Sequence, residues 1–232
     1  GATLLVAGRD AAKTERVAAV LRGTGADATP FVADLSVQAE VRRLAEEVQA
    51  HTDRIDVLIN NAGAVFAKRR ESADGIELTI GQGAKPGTGG LLLESKVSAT
   101  IAKQRDLPVG VDQRSPARHP DMLGPDDMII KIEELREATG WKVPIIVKLG
   151  ASRVYDDVKL AAKAGADIVV VDGMEGGTGA SPAIMQEHTG IPTLAAVCEA
   201  RAALEDIGLY GEVHLIISGG IRDGVDAAKA MA

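Results

Sequence analysis

Short apolar runs alternate with stretches of helical periodicity along most of this chain, and that alternation restricts it to an α/β fold with parallel strands. Residues 2–7 form an apolar run that ends in Gly8-Arg9-Asp10. Residues 10–22 carry Ala11, Ala12, Val17, Ala18 and Leu21 and stop at Gly23, which predicts a helix with a glycine terminator. Residues 29–33 read as a second strand. Ser36 takes an N-cap position, and Val37, Val41, Leu44, Ala45 and Val48 follow at offsets 0, 4, 7, 8 and 11, one face of a helix. A third strand at 55–59 runs into Asn60-Asn61-Ala62-Gly63. The order is βαβαβ, in which each return to the sheet crosses over a helix.

Residues 64–124 break the alternation. Glycine and proline are dense, as in Gly81-Gln82-Gly83-Ala84-Lys85-Pro86-Gly87-Thr88-Gly89-Gly90, and Pro108, Pro116 and Pro120 follow. A connection this long inside a compact fold is expected to carry a site. One short helix is expected within it, at 98–105.

The alternation resumes at Pro125, which suits a first helical position; Asp126 and Asp127 favour the positive end of the helix dipole. Met128, Ile132, Leu135 and Ala138 make its apolar stripe before Gly140. Strands are predicted at 143–149, 167–171 and 213–217, and helices at 154–164, 193–207 and from 224. Each strand ends in small or polar residues: Lys148-Leu149-Gly150, Asp172-Gly173 and Ser218-Gly219-Gly220. Ligands of (β/α) barrels bind at such strand ends. The expected organisation is a partial Rossmann βαβαβ unit at 1–79, followed by a partial (β/α)8 TIM-type barrel at 80–232.

Composition narrows the partners. A net charge of −7 argues against nucleic acid and anionic membranes, and 2% aromatic residues leave little for base stacking. The single Cys198 excludes an internal disulfide framework and a self-contained iron–sulfur cluster; on its helix it is expected to pack as a small hydrophobe. No apolar run reaches membrane-spanning length, there is no signal peptide, and a cytoplasmic location is expected. The chain begins within a strand pattern and stops within a helix pattern, so it is expected to be cut from something longer. His51, His188 and His214 have no metal-ligand spacing, and His119 is expected to be structural.

Residues 1–79 resemble the short-chain dehydrogenase/reductase family through Gly8-Arg9-Asp10, Asp34-Leu35 and Asp56-Val57-Leu58-Ile59-Asn60-Asn61-Ala62-Gly63. The resemblance implies Arg9 near a ribose 2′-phosphate, Asp34 at the adenine and Asn60 lining an NADP cleft. NADP binding is nevertheless expected to be weak or absent, because the glycine turn for the pyrophosphate is missing. Tyr155 and Lys159 have the spacing of that family's catalytic pair, but they lie 95 residues or more beyond Asn60 and read as surface residues of an ordinary helix.

Residues 80–232 resemble the FMN-binding synthase domain of glutamate synthase. The resemblance rests on the 81–90 run, Lys96-Val97, Ile101-Ala102-Lys103, Arg105, Ser115-Pro116 with His119 and Asp121, Val147-Lys148-Leu149, Gly176-Gly177-Thr178-Gly179-Ala180-Ser181-Pro182 and Ser218-Gly219-Gly220. It implies reduction of 2-iminoglutarate, formed from 2-oxoglutarate and ammonia, to L-glutamate. Lys85 and Arg105 would meet the dicarboxylate, with Gln82 orienting it. Lys148, Gly176, Gly177, Thr178, Gly179, Gly219 and Gly220 would hold FMN. The family's iron–sulfur ligands and its ammonia-supplying glutaminase domain are not in this sequence, and no metal ligands are expected here. The chain departs from the family pattern at Leu91, where Gln is frequent, at Met174-Glu175, where His-Asp is frequent, and at Gly124, where Ser is frequent. Two alternatives stand beside this reading: an NADP-dependent short-chain reductase fragment, and an inactive fusion of two gene pieces joined near 76–80.

Overall fold

The computed structural model describes residues 3–35, 37–54 and 75–232. They fall into two compact units, the second beginning, among the described residues, at Gly75.

The first unit contains β1 (Thr3–Gly8), α1 (Ala11–Gly23), β2 (Asp27–Val32) and α2 (Gln38–His51). The strands pair in parallel, from Thr3 opposite Asp27 to Gly8 opposite Val32. Asp10 starts α1 by accepting a hydrogen bond from the Lys13 backbone N–H at 2.9 Å, and this bond pulls its carboxyl below the usual carboxylate range. The cap of α2 is Val37, whose side chain can accept no bond; Ser36 lies outside the described residues. No residue of α2 is fully buried; in its apolar stripe Leu44 and Val48 are half-buried and Val41 is exposed. The predicted strand at 55–59 and Asn60 also lie outside the described residues.

The second unit is built on a parallel sheet. Its strands are β3 (Ile76–Thr79), β6 (Ile145–Gly150), β7 (Ile168–Asp172) and β8 (His214–Ser218), adjacent in that order. Residues 76–79, read from the sequence as the end of the first segment, are the edge strand here, with Ile76 opposite Ile145 and Thr79 opposite Lys148. Four residues of mixed polarity carry too little pattern to reveal which sheet they will join. Between β3 and β6 lies the glycine-rich excursion. It contains β4 (Leu91–Leu92), α3 (Ala99–Arg105) and β5 (Gln113–Arg114), with β4 and β5 antiparallel, and it leads into α4 (Pro125–Ala138). The Ser98 hydroxyl accepts the Ile101 N–H at the start of α3. Leu92, Val97 and Ala102 form a small core of their own.

The helices α5 (Val154–Lys163) and α7 (Thr193–Asp206) follow β6 and β7; the short α6 (Ala183–His188) precedes α7, and α8 (Gly224–Met231) follows β8. Ile145, Val147 and Leu149 are buried with Val169, Val171, Val158, Ile132 and Leu204 in the main core. The alternate residues of β6, Ile146, Lys148 and Gly150, are half-buried on the opposite face. Alanines at 161, 162, 196, 200 and 203 line the core faces of α5 and α7, letting the helices approach closely. Cys198 lies off that stripe and is exposed, which corrects its expected packing role. At the other end of the strands the Arg136 guanidinium donates to the Gly165 carbonyl at 2.6 Å and to Asp167 at 3.0 Å, while Asp167 accepts the Ile145 N–H at 2.7 Å. That clamp joins the end of α4 to the starts of β6 and β7.

Gly124 caps α4 with extended backbone, φ −154° and ψ −177°, and a Cβ there would meet nothing within 4 Å. Gly124→Ser should therefore stabilise the chain by about 0.5–1 kcal/mol, by restricting the unfolded state and adding a cap hydroxyl. A rise in Tm by calorimetry checks this, and a fall would show that the cap needs glycine.

Candidate functional site

The C-terminal ends of β6 and β7 hold the site, because two distant glycine-rich segments are bound together there. The first is the 81–90 run. It leaves β3 through Ile80 and Gly81, whose N–H groups both donate to the Lys148 carbonyl. It then crosses Gly150, where a Cβ would lie 2.6 Å from the Gln82 carbonyl oxygen. At Gly83 a Cβ would lie 1.8 Å from the Gly173 carbonyl oxygen, so only glycine lets this backbone rest on the end of β7.

The second segment is the 176–182 loop. The Thr178 hydroxyl donates to Gln82 Oε1 at 2.8 Å, and the Ser181 hydroxyl donates to the Ala84 carbonyl at 2.7 Å. Lys85 Nζ donates to the Ala180 carbonyl at 3.3 Å, and Lys96 Nζ to the Gly179 carbonyl at 3.0 Å. The Leu91 N–H also reaches the Ala180 carbonyl, at 2.9 Å. Two ammonium groups thus converge on consecutive carbonyls.

Arg105, exposed at the end of α3, donates to Gln113 Oε1 at 3.4 Å. Its charge acts on Lys85: burial first, and Arg105 second, pull the Lys85 ammonium below the ordinary lysine range. Among the described residues neither Lys85, Lys96 nor Arg105 has a carboxylate partner within ion-pair distance. Beside them a cavity of about 360 Å³ is lined by Gly89, Gly90, Leu91, Arg114, Ser115 and Met185. A cluster of unpaired cations of this kind can hold an anion with more than one charge.

Gly219 and Gly220, both at positive φ (96° and 69°), stand at the same strand ends. A Cβ on Gly219 would lie 2.8 Å from the Gly173 carbonyl oxygen, and one on Gly220 would lie 2.7 Å from the Glu175 side chain. Lys148 lies on the sheet face away from the helices, in register with Thr79 and Val170, and its ammonium has no hydrogen bond or ion pair among the described residues. Gly176 packs against the Asp172 carboxylate, whereas Gly177 has open space around it.

Three polar residues outside the sequence-derived set organise this end of the sheet. The buried Asp172 accepts the Gly83 N–H at 2.8 Å and the Ser218 hydroxyl at 2.6 Å. Glu175 accepts the Thr193 N–H at 3.0 Å and its hydroxyl at 2.9 Å, and that hydroxyl is also 2.7 Å from the Gly219 carbonyl. Asp172 was signalled by its place directly before Gly173 at a strand end. Its pairing with Ser218, 46 residues away, was not. Lys96 stood in a recognised motif, but its spacing gave no reason to bring it to Gly179.

His119 Nε2 lies 2.8 Å from the Thr79 carbonyl, so it carries the proton, and the imidazole ties the excursion to β3. Lys159 lies over the Tyr155 ring and pairs with Asp206 of α7, a helix-to-helix contact. Arg9 and Asp34 follow β1 and β2 in the first unit, and Asn60 lies outside the described residues. No group of metal-ligating side chains occurs among the described residues, and no helix there is long and apolar enough to cross a membrane.

Comparison with known proteins gives these features a family. The family described as "Conserved region in glutamate synthase" matches residues 40–232. A glutamate synthase large subunit-like protein of Rhizobium meliloti is 57% identical over 160 residues, covering 69% of this chain and 36% of that protein. An archaeal glutamate synthase [NADPH] of Methanocaldococcus jannaschii is 44% identical over 158 residues, covering 68% of this chain and 31% of its own length. The chain spans about a third of the length of these curated relatives. Among solved structures, a mutant flavocytochrome b2 with benzoylformate aligns with 98% of the chain and 45% of its own, at 18% identity and a TM-score of 0.42. The short-chain reductase resemblance, and a fusion at 76–80, find no support in these matches, since the family region already begins at residue 40. With that region taking in both interlocked glycine-rich segments and the sheet beneath them, the chain belongs to the glutamate synthase family.

Proposed function

We propose that this chain is part of an FMN-dependent oxidoreductase of glutamate synthase type, which reduces 2-iminoglutarate, formed from 2-oxoglutarate and ammonia, to L-glutamate. The observation that carries the reading is the seam between the 81–90 run and the 176–182 loop, where Lys85 and Lys96 meet the carbonyls of Ala180 and Gly179 with Arg105 close enough to perturb Lys85. Two carboxylates need fixed cations, and an arginine can bind one of them in two-pronged fashion. In this reading Lys85 and Arg105 hold the dicarboxylate, Lys96 adds charge beside them, and Gln82 orients the substrate from its bond with Thr178.

The residues present fit a flavin. Gly219 and Gly220 turn tightly against Gly173 and Glu175, in a space that side chains would fill. Lys148, on the sheet face away from the helices, has an ammonium with no partner among the described residues, suited to the charge that reduced flavin carries. FMN, when bound, would supply hydride; Lys85 and Arg105 would hold the dicarboxylate, Lys148 would offer its charge to the flavin, and the turn at Gly219 and Gly220 would take the phosphate. The adjacency of strands in chain order, with helices covering one face, is compatible with part of a (β/α)8 barrel. The reaction is assigned to residues 80–232, with ammonia from a glutamine-hydrolysing domain or subunit, an iron–sulfur cluster on residues other than Cys198, and no role for Arg9, Asp34 or Asn60.

The test is titration of FMN into the full chain, followed by quenching of flavin fluorescence, and then 2-oxoglutarate into the flavin-loaded protein. Saturable quenching that Lys148→Met weakens, with a second spectral change on adding the dicarboxylate, supports the reading. Unchanged fluorescence up to about 1 mM FMN, an affinity of no more than about 4 kcal/mol, would overturn it.

A further inference from the structure

We infer that Asp172 is a positioning residue: its buried carboxylate ties both the 82–85 run and the 218–220 turn to the end of β7, and so sets the spacing between the dicarboxylate and flavin halves of the proposed site. The inference rests on the flavin reading above, but its geometry stands on its own. Asp172 is 7% exposed and ends β7, opposite Ser218 in the last register pair with β8. One carboxylate oxygen, Oδ2, accepts the Gly83 N–H at 2.8 Å, across 89 residues of chain; the other, Oδ1, accepts the Ser218 hydroxyl at 2.6 Å. Both donors are neutral. A buried carboxylate that finds no cation among the described residues gives up water for two hydrogen bonds, and core packing alone has no need of it.

What the carboxylate joins is informative. Gly83 lies between Gln82 and Lys85, the polar and cationic groups of one half of the site. Ser218 begins the Ser218-Gly219-Gly220 turn of the other half. Both pack on Gly173: a Cβ on Gly83 or on Gly219 would fall 1.8 or 2.8 Å from its carbonyl oxygen. The three segments are glycine-rich and carry few side chains that could lock their mutual position. Asp172 contributes a single rigid group that both segments contact. Gly176 also packs against it, a Cβ there falling 3.0 Å from Oδ1, so the start of the 176–182 loop is held in the same place. An asparagine retains one oxygen for the Gly83 N–H, and the serine hydroxyl can turn to accept from the new amide. An alanine leaves the Gly83 N–H without an acceptor.

The experiment compares the full chain with Asp172→Asn, Asp172→Ala and Ser218→Ala by peptide-resolved amide hydrogen exchange, and by FMN and 2-oxoglutarate titration. In Asp172→Ala, exchange across 81–90 and 218–220 should rise about tenfold or more while α5 keeps its protection. Both ligands should then bind about tenfold more weakly, with Asp172→Asn restoring both readouts to within about threefold of the parent chain. Ser218→Ala should loosen 218–220 and weaken FMN more than 2-oxoglutarate. Unchanged exchange across 81–90, a rise spread evenly through the core strands, or ligand affinities that stay constant while exchange rises would each overturn the assignment. If Asp172→Ala does not fold, Ser218→Ala and Asp172→Asn decide it by the same measures, and loss of both ligands in Asp172→Asn with unaltered exchange overturns it. If the parent chain binds no FMN, the flavin reading fails, and exchange across 81–90 and 218–220 alone upholds or overturns the tie through Asp172.

Discussion

Gly83→Ala should lower the Tm by about 6–12 °C and abolish ligand binding at the strand ends. The added methyl would stand 1.8 Å from the Gly173 carbonyl oxygen and 2.5 Å from that of Asp172. Both are backbone atoms at the end of a strand whose preceding residues, Val169 to Val171, are in the core, so neither can move cheaply. Relief requires the 81–90 run to lift, which breaks the Gly83 bond to Asp172 and draws Gln82 and Lys85 away from Thr178 and Ala180. Overpacking and a lost buried bond together cost about 3 kcal/mol or more. The control is Gly177→Ala, where a Cβ meets nothing within 4 Å and the Tm should stay within about 2 °C. Thermal unfolding by circular dichroism reads both, and equal shifts in the two variants would contradict the close-packing argument.

Lys85→Met should leave the fold intact and weaken 2-oxoglutarate about 10–100-fold, the effect of losing one charge-assisted bond to a carboxylate. Burial and Arg105 lower the Lys85 pKa in the folded state. The folded chain therefore releases this proton at a lower pH than the unfolded chain does. The unfavourable contribution to stability is fully present below the folded pKa and is relieved as pH rises through it toward the ordinary lysine value. Removing the ammonium should consequently not destabilise the protein at neutral pH. A dianion binds the protonated form, so affinity should fall as pH rises through that lowered pKa, and this fall should be missing in Lys85→Met. Calorimetric titration across the alkaline range measures it. An affinity equal to the parent's, or an unaltered pH profile, would remove Lys85 from the site.

Much of the chain's local structure was legible before any coordinates. The stripe at Met128, Ile132 and Leu135 with Pro125 at its head foretold α4, because these signals are local, and the short helix expected at 98–105 is α3 with Ser98 as its cap. The glycine-rich excursion was marked as a site for the same reason: a long connection without periodicity has few structural uses. Lys85, Arg105 and the 176–182 loop were singled out by motif, and the structure brings Lys85 and that loop into direct contact.

What stayed hidden depended on contacts between distant residues. Ile76–Thr79 has no local mark of the sheet it joins; pairing with β6 across some 70 residues decides it. Exposure of Cys198 follows from which face of α7 meets the sheet, a choice made by Ala196, Ala200 and Leu204 together.

The sequence by itself determined the parallel α/β order and the glycine-rich segments, since periodicity and backbone freedom are properties of consecutive residues. Only the tertiary structure decided that Asp172 would bind Gly83 and Ser218, and that Lys96 would join Lys85 at the 179–180 carbonyls. A hydrogen bond depends on distance in space, and along this chain those partners are separated by 46 to 95 residues.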